Sequence, residues 1–225
     1  MTTLIDSLKQ LHRQIKHAEI SCQRQPDSVL LLAVSKTQPA STLANAYQAG
    51  QRHFGENYLQ EALSKQQALG AFDITWHFIG PIQSNKTKAI ASHFDWVHSV
   101  DNLKIARRLS EQRPQHLAPL NICLQVNISD EASKSGIHLD NLAELSERVA
   151  VLPNIKLRGV MAIPAPSDSF EQQCQPYKIL YQAIKSLNKP ELDTFSFGMS
   201  DDLNAAIAQG ATIVRIGTAL FGKRP

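Results

Sequence analysis

The sequence predicts an α/β fold, a single (β/α)8 TIM-type barrel preceded by an extra N-terminal helix. Eight candidate strands follow one another along the 225 residues, and helix-like sequence follows each of them. Eight such units within the length of one domain fit a closed barrel better than an open sheet. An open doubly wound sheet would carry a glycine-rich fingerprint after its first strand, whereas Ser35–Gln38 contains no glycine. We therefore expect one domain over 1–225, with the helix at 3–24 and the barrel at 28–222.

The N-terminal helix is predicted from one apolar stripe. Apolar residues from Leu4 to Cys22 recur at alternating spacings of four and three, which is the period of an amphipathic helix. Pro26 ends this pattern. The first strand follows at Val29–Val34, a continuous apolar run that is typical of a strand buried on both faces.

The other elements follow from apolar periodicity, β-branched runs and glycine or proline boundaries. Further strands are predicted at 52–57, 74–81, 94–100, 120–128, 155–163, 193–197 and 212–216. Helices are predicted at 39–49, 58–69, 85–92, 102–112, 138–152, 170–187, 200–209 and 218–221. We expect Asp101 and Ser200 to be N-caps, and the helix around Pro176 to kink or begin there.

The composition argues against several classes of function. The net charge is only +3, basic runs are absent and aromatic residues make up 6%, so the features of a nucleic-acid-binding protein are missing. There is no signal pattern, no apolar run of membrane length, and no metal-ligand spacing among Cys22, Cys123 and Cys174. We expect a soluble cytoplasmic monomer, without a metal, a nucleic-acid partner or membrane contact.

The candidate site lies where the barrel strands end, because such barrels bind ligands there and often hold a phosphate after strands seven and eight. Ser200 follows the seventh strand, and Gly217 and Thr218 follow the eighth, so backbone N–H groups and hydroxyls could bind an anion. Lys36 leaves the first strand, where partial burial can lower the pKa of a lysine and free its amine for Schiff-base chemistry. Each of these residues also has an interpretation without a ligand. Ser200 could simply begin a helix, Gly217 could simply end a strand, and the Lys36 side chain could extend into water.

Other polar residues stand near the same strand ends. Arg215 should point into the barrel mouth, where it needs a buried carboxylate or carbonyl, or else a ligand's ring nitrogen or phosphate. Asn57 could hydrogen-bond a phenolic oxygen, and His77 could stack on a ligand or transfer protons. His53 and His77 also fit packed core histidines. Met161 could line the pocket or fill the barrel.

Five motifs carry a family resemblance. In chain order they are Ala33–Thr37, His53–Asn57, Trp76–Gly80 with Gln83–Lys86, Ser196–Asp202 and Val214–Thr218. From its first strand to Gly222, the chain resembles the pyridoxal phosphate homeostasis protein family, whose barrel is similar to the N-terminal domain of alanine racemase.

The resemblance implies pyridoxal 5′-phosphate (PLP) as the cofactor and no metal. The implied cofactor-binding residues are Lys36, Asn57, His77, Met161, Ser200, Arg215, Gly217 and Thr218. Among them, Lys36 would form the Schiff base and Arg215 would face the pyridine nitrogen. No catalytic residue is implied with certainty, and Lys36 is the candidate if there is one.

The same resemblance bears on activity. A cation beside the ring nitrogen disfavours its protonation, which weakens the ring as an electron sink. Racemases of this kind take one of their two bases from a second, β-rich domain, which we do not expect in a chain that stops at Pro225. We therefore expect a carrier that buffers PLP or passes it to PLP-dependent apo-enzymes. A slow PLP-dependent amino-acid racemase using Lys36, and a Schiff-base aldolase acting on a phosphorylated sugar, are the alternatives.

Overall fold

The computed structural model describes residues 3–129 and 135–222. Within this part of the chain, eight parallel strands form a closed barrel, and β8 returns to pair with β1. The strands are β1 Leu30–Val34, β2 His53–Glu56, β3 Thr75–Phe78, β4 Trp96–Val100, β5 Leu120–Val126, β6 Ile155–Ala162, β7 Thr194–Ser196 and β8 Ile213–Ile216. The predicted fold class is confirmed.

Helices follow the strands in alternation, and one helix precedes them. They are α1 Leu4–Ser21, α2 Ala40–Gln48, α3 Leu59–Ala68, α4 Thr87–His93, α5 Leu103–Gln112, α6 Leu142–Ala150, α7 Phe170–Ser186, α8 Leu203–Ala208 and α9 Thr218–Phe221, with a 3-10 turn at Leu139–Asn141. The helix α7 runs through Pro176 instead of starting there. No helix within the described ranges combines the length and the apolar character that a membrane span requires.

The extra helix α1 completes the outer layer. Thr3 caps it, because its hydroxyl accepts the Asp6 N–H and the Asp6 carboxylate accepts the Thr3 N–H. Its apolar stripe, which includes Leu8, Leu11 and Ile15, is buried, and α1 packs against α8 and α9. Since α9 has only four residues, α1 covers the side of the barrel that a full eighth helix would cover.

Two predicted helix starts are wrong. Asn102, and not Asp101, caps α5, since its side-chain oxygen accepts the Ile105 N–H at 2.9 Å. The helix α8 begins at Leu203, so Ser200 lies in the preceding turn and is not an N-cap. Both errors have one cause: Ser, Asn and Asp all cap well, and neighbouring candidates cannot be separated by residue type.

The barrel interior is unusually polar. Branched apolar side chains usually fill such a core in layers, and Leu32, which is paired in register with Arg215, is one of them here. However, His77, His98, Ser196 and Arg215 are also buried. A buried polar group needs hydrogen-bond partners, so these side chains have to satisfy one another.

Candidate functional site

A cavity of about 490 Å³ opens at the C-terminal ends of the strands, well within the range of about 300–1,000 Å³ that small-molecule sites occupy. Six of the eight predicted site residues line it: Lys36, Asn57, Ser200, Arg215, Gly217 and Thr218. They come from four different strand ends and are brought together only by closure of the barrel. Of the charged side chains in this wall, two are cationic (Lys36, Arg215) and one is anionic (Asp201).

Lys36 lies in the turn directly after β1. It is half-buried and lines the cavity. The strands β1 and β8 are neighbours, with Leu32 paired to Arg215, so Lys36 and Arg215 face one cavity, as a closed barrel requires.

The turn after β7 is held in shape by Asp202. Its carboxylate accepts the Met199 N–H at 2.6 Å and the Tyr177 hydroxyl at 2.5 Å. Gly198 begins this turn at a φ of 82°, and a Cβ there would come within 2.5 Å of the Ala206 Cβ, so only glycine fits. Asp202 thus supports the backbone that carries Ser200 into the cavity wall.

The two loops after β7 and β8 offer unused donors. Within 3–129 and 135–222, no protein group accepts a hydrogen bond from the backbone N–H of Ser200, Gly217 or Thr218. The Ser200 and Thr218 hydroxyls have no hydrogen bond to the protein there either. Backbone N–H groups that two loops bring to one cavity can bind an anion such as a phosphate.

Arg215 forms part of the cavity floor and is otherwise buried. Its Nη1 donates to the carbonyl and, over 2.9 Å, to the hydroxyl of Ser196, while Nη2 donates to the Ala162 carbonyl at 2.9 Å. Burial lowers the pKa of Arg215, yet a guanidinium in a protein keeps its charge. No carboxylate among the described residues pairs with it, so its positive charge acts on the cavity.

A chain of three imidazoles extends from Arg215 through the barrel core. His98 Nδ1 lies 2.8 Å from Ser196 Oγ, His98 Nε2 lies 2.9 Å from His77 Nδ1, and His77 Nε2 lies 3.0 Å from His53 Nδ1. His53, at the start of β2, is half-buried. The chain therefore connects the cavity floor with the opposite end of the barrel.

The direction of each hydrogen bond in the imidazole chain can be assigned. Ser196 Oγ accepts a hydrogen bond from Arg215, so the Ser196 hydroxyl donates its own proton to His98 Nδ1. Each imidazole then donates a hydrogen bond through Nε2 to the next ring. In the reverse order the Ser196 proton would find no acceptor within the described part of the chain. Burial, with the Arg215 charge as second cause, lowers the pKa of His98 to about 3, and burial lowers the pKa values of His77 and His53. All three rings are neutral at pH 7.

His77 and Met161 do not line the cavity, unlike the other six predicted residues. His77 occupies the middle of the imidazole chain, which matches the core-histidine alternative. Met161 is 1% exposed and fills the barrel. Sequence reasoning missed Ser196 and His98, although Ser196 stands in a quoted motif and His98 interrupts the apolar strand β4.

The side chain of Asn57 is half-buried, and its oxygen Oδ1 is fully buried. Its Oδ1 makes no hydrogen bond within the described residues, and Asn57 lines the cavity. A Cβ on Gly80 would come within 2.2 Å of the Asn57 carbonyl oxygen, so glycine there lets the loop after β3 press against Asn57. An orphaned buried amide calls for an explanation, and a ligand in the cavity supplies one.

Comparison with known proteins agrees with this geometry. The family described as "Alanine racemase, N-terminal domain" matches residues 3–225. A "Pyridoxal phosphate homeostasis protein" of Pseudomonas aeruginosa is 57% identical over 224 residues, covering 100% of this chain and 97% of the relative. Its Escherichia coli counterpart is 52% identical over 229 residues, covering 100% and 98%. The structure of PipY from Synechococcus elongatus with PLP bound has 36% identity and a TM-score of 0.80, covering 92% of this chain and 100% of PipY.

Proposed function

Because the chain belongs to the family of pyridoxal phosphate homeostasis proteins, we propose that it binds PLP in the cavity at the barrel mouth and keeps it there as a Schiff base on Lys36. The observation that carries this proposal is the convergence of Lys36, the N–H groups of Ser200, Gly217 and Thr218, and Arg215 on one cavity. A cationic wall with unused donors suits a phosphorylated aldehyde.

The residues present fit the cofactor. The unused N–H groups after β7 and β8 suit its phosphate. The orphaned Asn57 amide suits a polar ring substituent. Bound PLP supplies an aldehyde carbon, which condenses with a lysine amine to a C=N bond and one water. Lys36 is the one lysine in the cavity wall formed by the described residues.

Arg215 has two effects in this proposal. Its charge attracts the anionic cofactor toward the cavity floor, and it disfavours a proton on a ring nitrogen beside it. Most PLP enzymes place a carboxylate at that nitrogen instead. Arg215 thus favours retention of the cofactor, and it does not favour reactions in which the cofactor ring has to stabilise a carbanion.

Holding and releasing PLP is therefore the proposed function, with cofactor homeostasis in the cytoplasm as its purpose and PLP-dependent apo-enzymes as recipients.

A racemase needs a base on each face of the substrate α-carbon. Among the described residues, Lys36 and the exposed Asp201 are the two side chains of the cavity wall that could act as a base, since Arg215 keeps its charge. The free thiols of Cys22, Cys123 and Cys174 are in keeping with a reducing compartment. We further propose a monomer, which light scattering would test.

The proposal is tested by titrating the purified protein with PLP. We expect a visible absorbance band in the wild type and none in Lys36→Ala. A colourless mixture without measurable affinity would overturn the proposal. Carrier and racemase are separated by following solvent deuterium into the α-carbon of L-amino acids, since exchange at ordinary enzymatic turnover that Lys36→Ala abolishes would establish the racemase instead.

A further inference from the structure

Three charged residues outside the cavity wall surround the turn that carries Lys36. We call Glu56, Glu61 and Lys65 the Lys65 cluster. Lys65 Nζ lies 2.7 Å from Glu56 Oε1 and 2.5 Å from Glu61 Oε1. Glu56 is fully buried and Lys65 is 5% exposed. A buried ion pair is often less stabilising than apolar residues of the same volume, so its presence beside Lys36 requires another reason.

The cluster holds the residues on both sides of Lys36. Lys65 Nζ donates to the Ser35 carbonyl at 2.7 Å, and Glu56 Oε1 accepts the Ser35 hydroxyl at 2.6 Å. Beyond Lys36, Glu61 Oε1 accepts the Thr37 N–H at 2.6 Å. Short bonds to charged groups are the stronger kind. The Lys36 backbone is therefore fixed from both directions.

The backbone of this turn is strained. Thr37 has a φ of 66°, in the left-handed region that a β-branched residue rarely adopts. Such a conformation persists only where the surroundings over-determine it. Two bonds hold it here: the Thr37 N–H donates to Glu61 Oε1, and the Gln38 N–H donates to the Ser35 carbonyl at 3.0 Å and closes the turn. Relaxation of Thr37 would rotate the peptide that follows Lys36 and redirect its side chain.

We propose that Glu56, Glu61 and Lys65 are positioning residues that aim the Lys36 amine at the aldehyde carbon of the bound cofactor. This inference rests on the proposed function. In the step concerned, the Lys36 nitrogen forms a bond to the aldehyde carbon, and the aldehyde oxygen leaves as one water. The rate of such a step depends strongly on the alignment of the reacting atoms. The loops proposed to bind the phosphate follow β7 and β8, whereas the Lys65 cluster contacts the turn after β1. The cluster should therefore affect formation of the Schiff base and not the affinity for the phosphate.

Glu61→Ala tests the proposal most simply, because Glu61 is the least buried member of the cluster. Two quantities are measured: the rate at which the PLP band appears, and the dissociation constant of pyridoxine 5′-phosphate, whose alcohol forms no Schiff base. We expect Glu61→Ala to slow the appearance of the PLP band on the order of tenfold. The dissociation constant of pyridoxine 5′-phosphate should stay within about twofold of the wild-type value. Glu61→Gln keeps an acceptor for the Thr37 N–H, so its rate should lie between those of the wild type and Glu61→Ala.

Glu144→Ala is the matched control, since Glu144 pairs with Arg148 at the same i,i+4 spacing on the exposed face of α6. Its two quantities should equal those of the wild type. Wild-type rates in both Glu61 variants, or equal losses in rate and in affinity, would overturn the positioning role. If only Glu61→Gln folds, a selective slowing supports the role and a wild-type rate refutes it. A wild type that forms no band at all would refute the proposed function itself.

Discussion

Arg215 and Ser196 are joined at the centre of the barrel: Arg215 Nη1 donates to the Ser196 hydroxyl over 2.9 Å and also to the Ser196 carbonyl. Through this contact the guanidinium is held by dipoles, and no carboxylate among the described residues forms an ion pair with it. Its charge therefore acts at the cavity floor, in a low-dielectric surrounding where charge acts strongly, and the nearby Asp202 offsets part of it. The same hydroxyl connects Arg215 to His98 at 2.8 Å, which makes Ser196 the link between the cavity and the imidazole chain.

Ser196→Ala should weaken PLP binding several-fold. The substitution removes one acceptor of Arg215 and leaves His98 Nδ1 without its donor, and a hydrogen bond to a charged group contributes about 1.5–3 kcal/mol. The PLP dissociation constant, measured by absorbance titration, checks this. Ser186→Ala is the control, because within the described part of the chain that hydroxyl donates only to the Ala183 carbonyl of its own helix. An unchanged PLP dissociation constant in Ser196→Ala would contradict the role of Ser196 as the link between the cavity and the imidazole chain.

The imidazole chain should make the protein sensitive to mild acid. His98 stays neutral in the folded state down to a pKa of about 3, whereas its ordinary pKa is 6.5. Between these values the unfolded state binds more protons, so the free energy of unfolding is fully retained above pH 6.5 and falls as the pH drops toward 3. His77 contributes with the same sign, since its pKa is also lowered by burial.

His98→Asn should flatten this pH dependence. Removing one such group lowers the slope by up to about 1.4 kcal/mol per pH unit. Denaturant unfolding at several pH values between 4 and 7 measures the slope independently of any overall loss of stability. The exposed His12 offers a control in His12→Gln, which should keep the wild-type slope. Equal slopes in His98→Asn and the wild type would show that His98 is not buried as a neutral ring.

Gly80→Ala should impair both stability and cofactor binding. The added Cβ would come within 2.2 Å of the Asn57 carbonyl oxygen, so the backbone of Asn57 has to move. We expect a loss of about 1–3 kcal/mol in the free energy of unfolding and weaker PLP binding. In Gly70→Ala the nearest atoms would lie at 3.7 Å, and neither property should fall. If a folded Gly80→Ala protein binds PLP with wild-type affinity, the position of Asn57 does not affect PLP binding.

Ser200→Ala tests the anion site. The hydroxyl of Ser200 has no protein partner within the described residues, so its loss should cost little stability. We expect the affinity for PLP to fall by more than the affinity for unphosphorylated pyridoxal, because only PLP has the phosphate that Ser200 would bind. Both dissociation constants are measured by titration. Equal losses for the two aldehydes would refute the phosphate assignment.

Much of the fold could be predicted from sequence, because the barrel depends on local patterns. Buried strands such as β1 read as continuous apolar runs, and glycine or proline marked most boundaries. The starts of α5 and α8 could not be fixed, since the choice between Asp101 and Asn102 depends on which side chain reaches the Ile105 N–H. That geometry is set by the packing of the whole helix.

The lining of the cavity could be predicted where a residue stands at a strand end, as Lys36 and Gly217 do. Contacts between distant residues could not be predicted. Whether His77 faces the cavity or the core depends on its strand's register in the closed barrel, and the Lys65 cluster joins the turn after β1 to α3. No local pattern in the sequence distinguishes Lys65 from an ordinary surface lysine.

The central claim is that Lys36 holds the cofactor covalently, and the most direct measurement is the mass of the adduct after reduction. The PLP-loaded protein is treated with borohydride, digested, and its peptides are weighed. We expect the visible band to disappear and one reduced phosphopyridoxyl group to be found on the peptide containing Lys36, with no adduct at that position in Lys36→Ala. Recovery of the group on another lysine, with the Lys36 peptide unmodified, would contradict the account.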